Sequence, residues 1–188
     1  LVPIRAGARA TGRVGRYSLG LLNIQTGAEP LSQSPANNFS VIRLNRDVLR
    51  RSSVGLMITR RSVSQRGPGS NDAYGVDGTF AFFQDLTFNT YWMRTATPGL
   101  SGDDVSYRGR MEYNGDRYGV QVERLAVGAN FNPEVGFVRR YDMRRSFGQF
   151  RFSPRPKSIA AVRRFVYQGQ AEYIENGTGR VETRKYEG

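Results

Sequence analysis

The chain contains no cysteine and no histidine. That removes thiol nucleophiles, imidazole bases, disulfides and most transition-metal sites together. Lysine is almost missing too: only Lys157 and Lys185 occur, so arginine carries nearly all of the basic charge behind the formal net +12. A solvated basic surface uses lysine freely, whereas arginine is favoured where a planar fork must meet carboxylates, phosphates or other acceptors in a crowded place. No apolar run approaches the ~20 residues of a membrane helix, and no signal peptide is visible. A membrane β-barrel escapes that test, because its strands alternate and never look hydrophobic overall. The chain starts at Leu1, and it is read as a segment of a longer polypeptide.

What the sequence does have is alternation, with helical periodicity nearly absent. In the first segment Ile4, Ala6, Ala8, Ala10, Gly12 and Val14 fall on one side, and Arg5, Gly7, Arg9, Thr11 and Arg13 on the other. Successive strand side chains point to opposite faces, so this is one small apolar face and one arginine face. The clearest hairpin covers 105–127, where Val105, Tyr107, Gly109, Met111 and Tyr113 alternate with polar residues before Asn114-Gly115-Asp116. The pattern resumes with Tyr118, Val120 and Val122. A two-residue Gly115-Asp116 loop would set Tyr113 opposite Tyr118, Met111 opposite Val120 and Arg110 opposite Gln121, with Arg108 opposite Glu123 as a favourable charge pair.

Further strands are expected near 17–25, 38–46, 52–63, 74–83, 87–96, 134–141, 146–152, 164–174 and 180–186, giving about twelve. The expected fold class is therefore all-β, an antiparallel up-and-down meander forming part or all of an outer-membrane-type β-barrel, in a single domain over 1–188. The connections alternate in length. Short ones fall near Gly15, 47–51, Asp85, Gly115, 142–145 and 176–179, and long ones at 26–37, 64–73, 97–104, 128–133 and 153–163. In an up-and-down sheet every second connection leaves from the same edge, so the short turns gather at one end, as in outer-membrane barrels.

Candidate residues follow from sidedness. Arg5, Arg9, Arg13, Arg108 and Arg110 are candidates for a lumen or anion-facing surface whose summed field attracts anions. Tyr17, Tyr113 and Tyr118 sit one or two positions from short turns, where an interfacial aromatic girdle lies in a barrel. No catalytic or metal constellation stands out. Asp103-Asp104, the most conspicuous carboxylate cluster, reads as a turn cap rather than a glycosidase pair. Gly12-x-x-Gly15 and Gly67-Pro68-Gly69 are turn glycines, since no helix start follows either. No cofactor is implied. Nucleic acid is disfavoured despite a pI near 10.7: there is no RNP-like segment, zinc spacing or basic helix, and the arginines follow strand alternation instead of forming one patch.

Several stretches carry a family resemblance: Gly7-Ala8-Arg9-Ala10-Thr11-Gly12-Arg13-Val14-Gly15-Arg16-Tyr17-Ser18-Leu19-Gly20-Leu21-Leu22-Asn23, Asn38-Phe39-Ser40-Val41, Arg51-Ser52-Ser53-Val54-Gly55, Tyr74-Gly75-Val76-Asp77-Gly78, Asn114-Gly115-Asp116-Arg117-Tyr118, 131–140 and Phe152-Ser153-Pro154-Arg155-Pro156. In order along most of the chain, these resemble the uncharacterised outer-membrane β-barrel-like domain that follows a carbohydrate-binding family-nine-like module in Gram-negative envelope proteins. The resemblance implies a membrane barrel of unestablished activity in the outer membrane, in contact with lipid and with further strands of the same longer polypeptide. It transfers no catalytic residue. The functional expectation is a barrel segment that passes or holds anionic solutes or glycans. The alternatives are a soluble all-β module binding acidic polysaccharide and, ranked lower, a polysaccharide-acting hydrolase.

Overall fold

The computed structural model describes residues 2–156 and 162–188. Eleven strands form one sheet in sequence order, each antiparallel to the last. They are β1 Ile4–Val14, β2 Tyr17–Thr26, β3 Asn37–Leu49, β4 Ser52–Arg61, β5 Asn71–Phe82, β6 Leu86–Ala96, β7 Val105–Asn114, β8 Tyr118–Val127, β9 Met143–Phe152, β10 Tyr167–Glu175 and β11 Val181–Glu187. Among the described residues the only helical element is a single 3-10 turn at Pro30–Ser32, and no helix is long and apolar enough to cross a membrane. The sheet is open: β1 and β11 each have one neighbour, and their outer edges are unpaired within the chain.

The all-β meander expected from alternation is what forms, with one strand fewer. The 134–141 stretch is not a strand but lies inside the 128–142 connection between β8 and β9. Removing that strand reverses the parity of everything after it. The connections after β1, β3, β5 and β7 are short turns at one end of the sheet, and those after β2, β4, β6 and β8 are longer loops at the other. The 153–166 connection therefore falls at the turn end, and the short 176–180 turn falls among the loops.

The 105–127 hairpin forms two positions out of the expected register. Met111 faces Val122, Tyr113 faces Val120, and Arg110 faces Glu123. Tyr118 has no partner on β7, because the connection takes in Gly115, Asp116 and Arg117 and pairing resumes only at Asn114 opposite Gly119. A slip of two preserves the face of every side chain, whereas a slip of one would have exchanged the faces. Arg108 still reaches Glu123, now diagonally, since its direct partner is Leu125.

The pairing also staggers steadily. One row of partners begins at Val14, the last residue of β1, passes through Gly78 in mid-β5, and reaches Tyr173, near the opposite end of β10. A cumulative shift in one direction is the shear of tilted strands, the geometry that lets a sheet curl toward a barrel.

The two faces differ in kind. One carries Leu19 and Leu21, Ile42 and Leu44, Leu56 and Ile58, Val76, Trp92, Val122 and Phe150 on successive strands. The other carries Asp77, Arg108, Glu123, Arg145 and Glu172. Burial runs opposite to that of a water-soluble domain: Val76, Val122 and Phe150 are about half exposed, while Asn71, Thr95, Ser106 and Glu123 are buried. Among the described residues the only buried apolar side chains are Ala73, Ala126, Val127 and Phe131. The accessible surface is 12597 Å², against ~9,000 Å² for a compact monomer of the same mass.

The register can be checked in this cysteine-free chain by paired cysteines. Met111→Cys with Val122→Cys should oxidise to a cross-strand disulfide, because direct partners fall within the ~4.4–6.8 Å Cα range that such bonds need. Met111→Cys with Val120→Cys should not. The reverse preference would restore the two-residue loop.

Candidate functional site

The polar face is held together by a charge ladder. Tyr91, Arg108, Leu125, Arg145 and Ile174 lie in one row, and Arg110, Glu123, Phe147 and Glu172 in the next. Arg108 and Arg145 therefore meet their carboxylates on the diagonal. Arg108 donates through Nη2 to Glu123 Oε2 at 2.5 Å, and Arg145 donates through Nη1 to Glu123 Oε1 at 2.5 Å. Arg145 also donates through Nε to Glu172, and its guanidinium lies 5.2 Å from the centre of the Phe147 ring. Glu123 is buried and shared between two cations, so the β7–β10 segment is cross-linked in charge as well as by its backbone. Removing Glu123 would leave Arg108 without a carboxylate, at a cost that solvent partly offsets because Arg108 is about one-third exposed.

A second pair spans a strand. Arg43 on β3 donates through both Nη groups to Asp77 on β5, the Nη2 bond measuring 2.8 Å. Between them, on β4, stands Gly55, and a Cβ there would collide with the Arg43 guanidinium and with Asn45 Oδ1. The missing side chain is what lets the arginine lie flat across the intervening strand.

The candidate arginines are not equivalent. Arg9, Arg13, Arg108 and Arg110 share the polar face. Arg13 pairs with Asp47 at 2.7 Å, Arg108 with Glu123, and Arg110 with Glu112 at 2.6 Å and Gln121 at 3.1 Å. Arg5 sits where the β1–β2 register slips, with its Nε over Gly27. Arg5 and Arg9 have no ion pair among the described residues. The three candidate tyrosines all lie on the apolar face at the turn end, each more than a third exposed. Tyr17 is capped by Arg46, 5.2 Å from its ring centre, and Tyr118 stacks on Phe152 at 5.3 Å. Asp103-Asp104 is structural: Asp104 pairs with Arg94 at 3.1 Å and Asp103 takes a left-handed turn conformation.

The 128–142 loop folds back over the polar face near the loop end, and its anchoring explains why it is not a strand. Asn71, fully buried on β5, acts as a side-chain docking strip. Its Nδ2 donates to the Asn132 carbonyl at 2.8 Å, and its Oδ1 accepts from Glu134 N at 3.0 Å. The Asn132 N–H donates to Thr95 Oγ1 at 3.0 Å. Pro133, between these two bonded amides, has no N–H to leave unpaired. The Glu134 side chain, 2% exposed, then enters the β4–β5 loop. It accepts from Ser64 Oγ at 2.7 Å and Gln65 N at 2.9 Å, with Arg61 3.6 Å away.

Two cavities remain under this loop. One, about 760 Å³, is bordered by Tyr91, Ser106, Arg139, Arg145 and Glu172. The other, about 300 Å³, is bordered by Arg43, Asp77, Met93 and Pro133. Phe131, Phe137 and Val138 line both. The walls are amphipathic and almost every charge in them is matched, which suits water and small polar solutes better than a tightly held anion. Among the described residues no group of side chains is arranged to hold a metal ion.

The sequence did not show the Arg43–Asp77 pair, whose partners are separated by a whole strand, or the Glu134 anchor, whose donors are about seventy positions away. The one local signal was Asn132-Pro133, which marks a turn. No known protein family, curated protein or solved structure matches the chain.

Glu134 should control the loop. Glu134→Ala strands Arg61, Ser64 Oγ and the Gln65 amide, and should destabilise the loop's docking by ~3 kcal/mol. Trypsin cleavage after Arg139 or Arg140 in the folded protein should then accelerate at least about tenfold. An unchanged cleavage rate would show that the loop is held by other contacts.

Proposed function

We propose that this chain is wall material of a transmembrane β-barrel in an outer membrane, with its apolar face against lipid and its polar face against water. The observation that carries the reading is the inversion of burial: serine, threonine, asparagine and glutamate are enclosed while leucine, valine, tyrosine and tryptophan are exposed. The exposed apolar residues form a band with aromatic borders. Phe82, Phe88, Tyr113, Tyr118, Phe152 and Tyr167 mark its turn end, and Tyr74, Trp92, Tyr107 and Tyr173 its loop end. Two aromatic borders around an apolar belt match the interfacial girdles of a barrel.

The dimensions fit. Along β5 the apolar face is free of charge from Tyr74 to Phe82, ~27 Å at ~3.4 Å per residue. At a ~40° tilt this gives ~21 Å of depth, near the ~25 Å belt of known barrels. Asp72 and Arg60 lie beyond the loop-end border, and Arg94 stands at it, directly opposite Tyr74 and paired with Asp104. Arg124, a charge on the apolar face of β8, falls at the same border, where the stagger carries it inward. No bulge accompanies it, and it is matched by Glu175 at 3.0 Å and by Ser146. In this reading the edges of β1 and β11 are paired in the membrane with other strands, because open edges do not persist in hydrocarbon.

Within that frame the polar face and its inward loop would form a narrowed, water-lined passage. Anionic solutes or glycans are the candidates for what passes, supported by Arg5, Arg9 and Arg139, which have no ion pair among the described residues, more than by the matched Arg108 and Arg110. One feature favours a soluble carbohydrate-binding module instead: Tyr74, Trp92 and Tyr107 form an exposed aromatic platform, with Tyr74 and Trp92 6.2 Å apart, suited to stacking on sugar rings.

Trp92 separates the two readings, being the only tryptophan. In vesicles, lipids brominated on the acyl chain should quench its fluorescence, and aqueous iodide should not. Quenching by iodide alone, together with a spectral shift on adding an acidic oligosaccharide, would replace the barrel with the soluble module.

A further inference from the structure

The basic charge is not spread evenly between the two ends of the sheet. Arg13, Arg16, Arg46, Arg50 and Arg51 crowd the first two short turns, and Arg117, Arg151, Arg155, Arg163 and Arg164 the last two connections at that end. Asp47, Asp85, Glu112, Asp116 and Glu187 stand against them, Glu112 already held by Arg110 and Glu187 by Lys185. Two of those aspartates are occupied, by Arg13 at 2.7 Å and by Arg155 at 2.5 Å. Arg16, Arg50, Arg117, Arg163 and Arg164 have no carboxylate partner among the described residues, and all are exposed. At the loop end arginines and carboxylates nearly balance, with Arg60, Arg94 and Arg140 matched to Asp72, Asp104 and Glu182.

The unmatched guanidiniums stand next to the turn-end aromatic border. Arg46 covers Tyr17 at 5.2 Å, and Arg117 covers Phe152 at 5.4 Å and Tyr118 at 5.7 Å. Two clefts open at this rim. One, of about 490 Å³, lies among Arg16, Arg50 and Arg51, and the other, of about 540 Å³, among Arg155, Arg163 and Arg164. An aromatic row marks the depth at which headgroups begin. Arginine forks just outside it are placed to take phosphate oxygens bidentately.

We propose that the turn-end rim is a docking collar for anionic lipid headgroups, recognising their phosphodiester groups. The proposal rests on the barrel reading and adds to it a preferred leaflet. The rim is one-sided, so insertion should proceed with the turn end toward the more anionic surface.

The test uses the full chain with vesicles of phosphocholine alone and of phosphocholine with one-third phosphoglycerol. Wild type should bind the anionic vesicles at least about tenfold more tightly at low salt, since each arginine near such a surface contributes severalfold. The preference should fade at 0.5 M salt. Arg16→Gln, Arg50→Gln, Arg163→Gln and Arg164→Gln together should abolish it. A control with the same loss of charge at the loop end, Arg66→Gln, Arg139→Gln, Arg144→Gln and Arg180→Gln, should keep it. Insertion into both vesicles with no preference, or equal loss in both variants, would overturn the collar and leave the barrel standing. Failure to enter either vesicle would overturn both. Tighter binding to a DNA duplex than to the anionic vesicles would overturn the collar in favour of nucleic acid.

Discussion

An antiparallel sheet satisfies its own backbone hydrogen bonds everywhere but at its edges, so the constraint that organises this protein is which solvent each face meets. A soluble sheet of this size would fold its apolar face over a core. Here that face stays open and almost nothing apolar is buried. The stagger of the register turns the same sheet into a tilted, curling ribbon, and tilt sets how much of each strand lies within the apolar belt. The drift of the loop-end border from Tyr74 on β5 to Tyr173 on β10 is a consequence of that tilt, not of disorder in the pattern.

The polar face solves a different problem. Arginines and carboxylates side by side on a sheet repel or attract according to register, and diagonal pairing lets Glu123 serve two arginines from neighbouring strands. Gly55 does the equivalent across a strand, giving Arg43 a flat path to Asp77. The result is a charged but nearly neutral surface. The net positive charge of the chain is displaced to the turn-end rim, where arginine meets aromatic rings in place of carboxylates.

Much of the fold was legible because period-two alternation is a direct image of a two-faced strand, as Ile4 to Val14 shows. The 134–141 stretch failed for the same reason that the others succeeded. Val135, Phe137 and Arg139 alternate with Glu134, Gly136 and Val138, and an extended loop laid across a sheet has the same periodicity as a strand within it. What distinguishes them is the company of Asn71, Thr95 and Ser64, brought in from β5, β6 and the β4–β5 loop. The hairpin at Gly115 was legible in its faces and not in its register, because both loop lengths keep Tyr113 and Val120 on one side. Arg108 and Glu123 were paired correctly since long side chains tolerate a slip of two. Tyr17, Tyr113 and Tyr118 were singled out by their distance from short turns. Their loop-end counterparts Tyr74, Trp92 and Tyr107 were not, since each lies well inside an alternating run.

The claim on which the functional reading depends, that the two faces of the sheet meet different solvents, can be measured residue by residue on β5. Single cysteines at 73–80, spin-labelled in lipid vesicles, report collision with apolar oxygen and with a water-soluble nickel complex. Two solvents predict period-two oscillation in opposite phase, with oxygen favoured at Tyr74, Val76 and Phe80 and nickel at Asp77 and Thr79. Nickel access that is uniform along the strand, or that peaks at Val76 and Phe80, would contradict it.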